Sequence, residues 1–382
     1  MEFAWNQRQT ELYDRTLAFA RDRLDNAGLA NRERDRRFSI EGFRRCGEYG
    51  LAGLSVPEDY GGMGLDALTT AHTIEALGHG CLDMGLVFSV SAHLFACAMP
   101  IALNGSDELK AAVLPRLASG AWVGANAITE AEAGSDAFAL KTRAVRDGDT
   151  YVLDGAKSYV TNAPVADAML VYASTNPDHG YLGVSAFVVE NGAAGLVVGK
   201  PFEKIGLVTS PVAAVYLDGC RVPARNLVGA PGNGAQIFAS SMRWERACLF
   251  AAYLGVMNRQ LDDTIAFARE RRQGKRRISQ YQAIAHRIVD MKMRLDTAKL
   301  LLYRACWAGD QGGDAELEVC LAKIAASEAA IQLSLDAIQI HGGNGVIREV
   351  GVERALRDAV PSTLFSGTSE VLRNLAAAKL GL

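Results

Sequence analysis

Four stretches of this 382-residue chain carry side chains whose type and spacing can do chemistry. The run Met242-Arg243-Trp244-Glu245-Arg246-Ala247 holds a carboxylate whose neighbours at i−4 and i+4 are Ser241 and Leu249. Glu245 is therefore not half of an ordinary i,i+4 surface ion pair. The run Ile128-Thr129-Glu130-Ala131-Glu132-Ala133-Gly134-Ser135-Asp136 mixes hydroxyls with small residues. Such a segment either lets backbone approach a flat ligand or is a plain loop with cap-like Ser and Asp. The run Gln339-Ile340-His341-Gly342-Gly343-Asn344-Gly345 reads either as a glycine-ended helix or as an amide, a histidine and bare backbone around phosphates or adenine. Between Arg269 and Arg277 lies a basic cluster containing Arg271 and Lys275, which is a solvated helix end or a pyrophosphate partner.

The elements that must position these groups fall into three zones. Up to about residue 120 the chain reads as helices; Tyr13, Leu17, Ala20 and Leu24 recur at helical steps on one face. From about 121 to 230 it turns β-rich: Tyr151-Val152-Leu153 and Tyr159-Val160-Thr161 flank Asp154-Gly155, a pattern that predicts a hairpin there. Val184 to Glu190 and Ala213 to Leu217 continue the β reading, and Val222-Pro223 ends it. From about 231 the pattern is helical again, with Ile284, Ile288, Met291, Leu295, Ala298 and Leu302 on one long stripe. Helical zone, β zone and helical zone in that order predict an α+β fold divided at 1–120, 121–230 and 231–382. No G-x-G-x-x-G follows a strand, which excludes a Rossmann turn for any dinucleotide.

Composition narrows the classes further. A net charge of −3 gives no reason to expect nucleic acid as a partner. The seven cysteines form no C-x-x-C pair and have no histidine at ligand spacing, so a metal site and a disulfide framework are not expected. Met1 to Asn6 lacks the basic start and apolar run of a secretory signal. The apolar runs are broken by Gly, Ser or His short of a membrane span, so a cytoplasmic protein without a membrane partner is expected.

In order and spacing the motifs resemble the acyl-CoA dehydrogenase family over essentially the whole chain. The resemblance runs through Gly50-Leu51, Pro57 to Gly62, Pro100-Ile101, Thr129-Glu130 and Ala133 to Asp136. It continues through Gly155-Ala156-Lys157, Thr161-Asn162, Val222-Pro223, Asn226-Leu227, Arg271, Gln282, Gln339 to Gly343, Arg357-Asp358 and Gly367-Thr368. It implies an N-terminal helical domain, a middle β-barrel-like domain and a C-terminal four-helix bundle around FAD. Carried over by position, it gives Thr129, Ser135, Tyr159 and Thr161 as contacts of the flavin end, Thr161 facing N5. It gives Arg271, Gln282, Gln339, Gly342, Gly343, Thr368 and Glu370 to the pyrophosphate and adenine end, partly across a subunit boundary in a homodimer or homotetramer. Ser135, Arg246, Ser366 and Gly367 are then substrate contacts.

Three departures from the family pattern bear on function. Tyr159 stands where Trp is common, and Gly274-Lys275 replaces the usual Phe-Gly. Ser366 occupies the position of the usual catalytic Glu. A minority of members, the isovaleryl type among them, instead carry the base just before the arginine matched by Arg246. Glu245 is that residue. The implied activity is α,β-dehydrogenation of an acyl thioester: Glu245 takes the α-proton, flavin N5 accepts the β-hydride, and electrons leave to an electron-transfer flavoprotein. The backbone N–H at Ser366 can still polarise the thioester carbonyl. Met242-Arg243 differs from the Leu-Asp often found near the pantetheine of CoA users, so the acyl carrier is either CoA or a carrier protein. An oxidase or monooxygenase on the same fold, and a silent acyl-binding homologue, are the alternative readings.

Overall fold

The computed structural model describes residues 4–382; Met1 to Phe3, part of the segment read for a secretory signal, lie outside it. The N-terminal layer consists of the helices Gln7–Asp22, Leu29–Asp35, Ile40–Tyr49, Ala67–Gly80, Met84–Ala92, Met99–Asn104 and Asp107–Ala118. Asn6, Asp66 and Ser106 start three of them by accepting the first-turn N–H groups of Gln9, Thr69 and Leu109. Of the expected first helical stripe, Ala20 is buried and Tyr13 and Leu17 are half-buried, while Leu24 is buried but lies past the helix end at Asp22.

One expectation fails here. A single 21-residue helix runs Met84–Asn104, with a mean hydropathy of 2.0 over its most apolar 18-residue window, so one run is long and apolar enough to cross a membrane. The breaks at Ser and His do not interrupt it because the fold satisfies them. Ser91 Oγ donates to Val87 O at 2.8 Å, and His93 takes the Gly124 N–H at Nδ1 (2.7 Å) while its Nε2 meets Leu117 O at 3.1 Å. Within that window 89% of the residues are buried in the protein, as expected for a core helix.

The middle zone is an eight-stranded sheet: β1 (Gly124–Ala127), β2 (Arg143–Asp147), β3 (Thr150–Thr161), β4 (Ala168–Ser174), β5 (Val184–Glu190), β6 (Leu196–Val198), β7 (Val212–Pro223) and β8 (Leu227–Val228). The order is β6-β7-β3-β2-β4-β5-β8, with β1 alongside β4. The hairpin expected at Asp154-Gly155 is not there. The turn is at Gly148-Asp149, where Asp147 pairs with Thr150, and β3 runs straight through Asp154. Gly155 instead marks a register shift against β7, at φ 151°, and a Cβ there would meet Thr142 Oγ1 at 2.5 Å.

The C-terminal zone is a bundle. Gly234–Trp244 passes through Glu245–Leu249 into Ala251–Glu270, followed by Gln282–Asp310, Glu316–His341 and Ser369–Lys379. Met291, Leu295, Ala298 and Leu302 are buried as the stripe predicts, and Ile284 and Ile288 are half-buried at its start. The helices Ala67–Gly80 and Ala251–Glu270 touch backbone to backbone. A Cβ on Gly78 would lie 2.3 Å from Ala252 O, and one on Gly255 would lie 2.1 Å from Glu75 O. This contact fixes the N-terminal layer against the helix that carries Glu245.

Candidate active site

Glu245 opens the wide turn Glu245–Leu249, in which hydrogen bonds step five residues instead of four. A second wide turn, His93–Ala98, lies against it. Ser241 Oγ donates to Phe95 O at 3.1 Å, and the Phe95 and Trp244 rings stack with centroids 6.4 Å apart. Glu245 is 8% exposed. Burial pushes its carboxyl above the ordinary range; the Ser366 hydrogen bond and the charges of Arg246 and Lys323 pull it part of the way back. Ser366 Oγ donates directly to Glu245 Oε1.

Arg246 does not pair with Glu245. Its Nε donates to Ser366 O at 2.8 Å, and Lys323 Nζ donates to the next carbonyl, Gly367 O, also at 2.8 Å. Ser366 and Gly367 are both left-handed, at φ 57° and 91°. For the serine this costs roughly 1–2 kcal/mol, so the surroundings must enforce it. Among the described residues no acceptor takes the N–H of Ser366, Gly367 or Thr368. Three free donors beside a buried carboxylate can hold a substrate carbonyl while its α-proton is removed. Phe365 anchors the turn by packing on Phe88 and Phe250, with centroids 4.7 and 5.3 Å away. The Tyr172 hydroxyl is buried without a partner and close enough to Glu245 that the carboxylate charge helps push the phenol up.

A second group of predicted residues lines the end of β3. Tyr159 is 67% exposed at φ 56°, its ring presented outward beside Phe202 at 5.5 Å. Thr161 is half-buried, and the next residue, Asn162, donates from Nδ2 to Ser89 O (3.0 Å) and Gly124 O (3.1 Å). Ser89 follows Phe88, so Asn162 and Phe365, the chain neighbours of Thr161 and Ser366, contact successive residues of one helix. Thr129 is half-buried and Ser135 exposed. Their loop is tied to β3 by a buried ion pair, Lys157 Nζ to Glu130 Oε1 at 2.8 Å. Lys157 Nζ also meets Ile128 O at 3.1 Å, and Ser158 N donates to Thr129 O at 2.8 Å.

The remaining predicted residues sit elsewhere. Arg271 follows Ala251–Glu270, Gln282 starts the next helix, and Gln339, Gly342 and Gly343 end a third. Phe267 meets His341 edge-on at 4.2 Å, which brings these ends together. All five are exposed; Gly342 is at φ 60°, and nothing lies within 4 Å of a Cβ built on Gly343. Gly274-Lys275 forms the tight turn of a small ribbon in which Gln273 pairs with Arg276. Glu245 and Arg271 lie on one nearly continuous helix, roughly 39 Å apart at a rise of about 1.5 Å per residue. Thr368 stays with Ser366 and caps Ser369–Lys379 by accepting from Val371 N at 3.2 Å, with Glu370 exposed in the first turn.

A cavity of about 210 Å³ lies away from Glu245, lined by Arg259, Gln260, Asp263, Thr264 and His341. Gln260 Nε2, Thr264 Oγ1 and both His341 ring nitrogens are buried without partners. Unspent donors beside His341, bare backbone at Gly343 and an outward aromatic at Tyr159 fit a long dinucleotide, its ring end at β3 and its phosphates at a basic helix end. Sequence reasoning missed Lys323 and the Glu130–Lys157 pair as structural parts of the site. The available signal for Lys323 was a lysine in helical register with Val319, Ala326 and Ala330, all buried.

Three family profiles match consecutive parts of the chain: acyl-CoA dehydrogenase N-terminal domain over 6–121, middle domain over 125–220 and C-terminal domain over 232–381. An L-prolyl-[peptidyl-carrier protein] dehydrogenase of Pseudomonas fluorescens is 52% identical over 351 residues, 92% of each chain. The structure of PigA with FAD and proline superimposes with a TM-score of 0.98 at 42% identity over the full length of both chains. The prolyl acyl carrier protein oxidase AnaB superimposes with a TM-score of 0.97 at 40% identity, covering 99% of this chain and 100% of its own.

Proposed function

The chain belongs to the acyl-CoA dehydrogenase family, and within it we propose that it oxidises a prolyl group held as a thioester on a peptidyl-carrier protein, with Glu245 as the base. It is a FAD-dependent oxidoreductase acting on the CH–CH bond of an acyl thioester. The observation that carries the mechanism is the buried Glu245 carboxylate beside free N–H groups at Ser366, Gly367 and Thr368. Glu245 takes the α-proton, leaving its electron pair in the enolate, whose oxygen the turn stabilises. FAD, when bound, supplies the two-electron acceptor for the hydrogen lost from the β-carbon. Thr129, Ser135, Tyr159 and Thr161 hold its ring end. Arg271, Gln282, Gln339, Gly342, Gly343, Thr368 and Glu370 hold its phosphate and adenine end.

The prolyl and carrier-protein assignments draw on the relatives' substrates. Two features of this chain support them. The unpartnered Tyr172 hydroxyl near Glu245 suits an acyl group bearing a nitrogen. Arg243 is exposed one position after Met242, and a cation there suits an acidic carrier surface. The test is anaerobic bleaching of the flavin. Prolyl-loaded carrier protein is expected to reduce it within seconds, and prolyl-CoA or butyryl-CoA much more slowly. Equal or faster bleaching by butyryl-CoA sinks the substrate assignment. Admitting air afterwards identifies the acceptor: the reading of an electron-transfer flavoprotein partner requires that colour return slowly without it.

The assembly is an oligomer of even number, a homodimer or a homotetramer. The ~39 Å separation of Arg271 from Glu245 supports a cofactor shared between two subunits, because one chain brings Arg271, Gln282, Gln339, Gly342 and Gly343 to the end of the bundle away from Glu245, Thr368 and Glu370. Val289, Met293, Leu300 and Trp307, all more than half exposed, recur at four- and seven-residue steps along Gln282–Asp310 and offer an apolar seam for a second copy. Purified protein is expected to be yellow, with about one FAD per chain and an even subunit count by sedimentation. A monomer that retains stoichiometric FAD would defeat the shared site. The seven buried free cysteines suit a reducing compartment, which supports a cytoplasmic location.

A further inference from the structure

We propose that Lys323 is a positioning residue of the dehydrogenation: through Gly367 O it holds the turn Ser366-Gly367-Thr368 in the form that offers its N–H groups to the thioester carbonyl. The inference rests on reading Glu245 and this turn as the thioester site.

Lys323 lies within Glu316–His341 and is 0% exposed. Its ammonium makes one hydrogen bond, to Gly367 O at 2.8 Å, and sits 5.3 Å from the centre of the Phe250 ring. The charges of Arg246, Glu245, Glu328 and Glu370 reach it, and Cys320 feels it in turn. Burial, aided by Arg246, pulls its ammonium down to about 8. Packing alone gives no reason for such a group, since Met or Leu would fill the position without a desolvated charge. What the ammonium adds is a grip on one carbonyl.

The geometry of that grip matters. Across a planar trans peptide the C=O and the following N–H point in opposite directions. Arg246, by taking Ser366 O, therefore turns the Gly367 N–H the other way. Lys323, by taking Gly367 O, does the same for the Thr368 N–H. With both planes pinned, the left-handed Gly367 between them keeps its conformation, and its N–H and that of Thr368 keep their directions. Without Lys323 the second plane is free to flip, so the Thr368 N–H loses its direction and Gly367 keeps only the restraint from Arg246.

The test compares the parent with Lys323→Met, Lys323→Gln and Glu245→Gln, each as FAD-loaded full-length protein. The probe is the pantetheine thioester of pyrrole-2-carboxylic acid, a planar five-membered-ring analogue, labelled with ¹³C at its carbonyl. Isotope-edited infrared spectroscopy reads the carbonyl stretch, which moves to lower frequency when N–H groups polarise the bond. Lys323→Met should keep FAD and its unfolding temperature but lose at least half of that shift. Flavin reduction by prolyl carrier protein should fall roughly 10- to 100-fold at saturation, with little change in half-saturation, the scale of a misplaced catalytic group. Should Lys323→Met fail to fold, Lys323→Gln carries the same test, since its amide keeps a donor but is too short to reach. Glu245→Gln should keep the full shift while losing reduction, so failure of the base assignment appears separately. A full carbonyl shift in the folded Lys323 variants overturns the proposal, and so does a parent protein that shows no shift at all.

Discussion

Glu245→Gln is expected to slow flavin reduction by ~100-fold or more while FAD and thioester binding persist, the usual scale for loss of a general base. The amide is nearly isosteric and can still accept from Ser366 Oγ, so packing around the wide turn should survive. Rapid-mixing absorbance of the flavin measures the step. Ser366→Ala should cost less than ~10-fold, because its backbone N–H remains. The pH dependence separates the two roles. The base works deprotonated, and burial raises its carboxyl, so the rate should fall with decreasing pH through a limb lying above the ordinary carboxylate range. The Ser366 hydrogen bond favours the charged form, so Ser366→Ala should move that limb to higher pH. Reduction at the parent rate in Glu245→Gln, together with an inert Ser366→Ala, would remove Glu245 from the chemistry and point to a serine-centred reaction.

Lys157→Met should lower unfolding free energy by about 3 kcal/mol, the cost of stripping one partner from a buried ion pair. Lys157 is 0% exposed, and Glu130 also accepts from Thr142 N at 3.0 Å and Lys141 N at 2.6 Å. Removing the ammonium leaves that carboxylate buried without a counter-charge and frees Ile128 O, the carbonyl just before Thr129. FAD should therefore dissociate more readily, even though Lys157 does not itself face the cofactor site. Denaturant titration gives the stability change, and flavin released on gel filtration gives the second effect. Adding Glu130→Gln should recover much of the stability, because an amide needs no counter-charge. A single Lys157→Met protein as stable as the parent would show that the pair contributes nothing.

Much of this arrangement is legible along the chain because the signals are local. Periodicity places the helical stripe of Met291 to Leu302, and β-rich runs place β5 and the first half of β7. Glu245 stands out because no cation meets it at helical spacing, and the structure finds its partner in Ser366 instead. What local signals cannot supply is the partner strand. Asp147-Gly148 and Asp154-Gly155 look alike as dipeptides, yet only the first turns the chain, because β7 extends across the second and takes up the slack as a bulge. The run Met84–Asn104 misleads for the same reason: its serines and His93 read as breaks until Leu117 O and Gly124 N arrive from distant segments. Lys323 is hidden differently, as a charge in an apolar register whose purpose lies at Gly367.

The wide turn at Glu245–Leu249 acts as a phase correction between two halves of one helix. A regular helix advances by about 100° of azimuth per residue. Deleting one residue from the turn would restore regular hydrogen bonding and leave a straighter rod. It would also swing Gly234–Trp244 around the axis by about that angle relative to Ala251–Glu270. Trp244 would then lose its stack on Phe95, and the carboxylate would face another side of the bundle. A neater backbone would thus be a blind one: the half docked through Gly255 and the half aimed at Ser366 keep their separate bearings only because the helix between them is out of step.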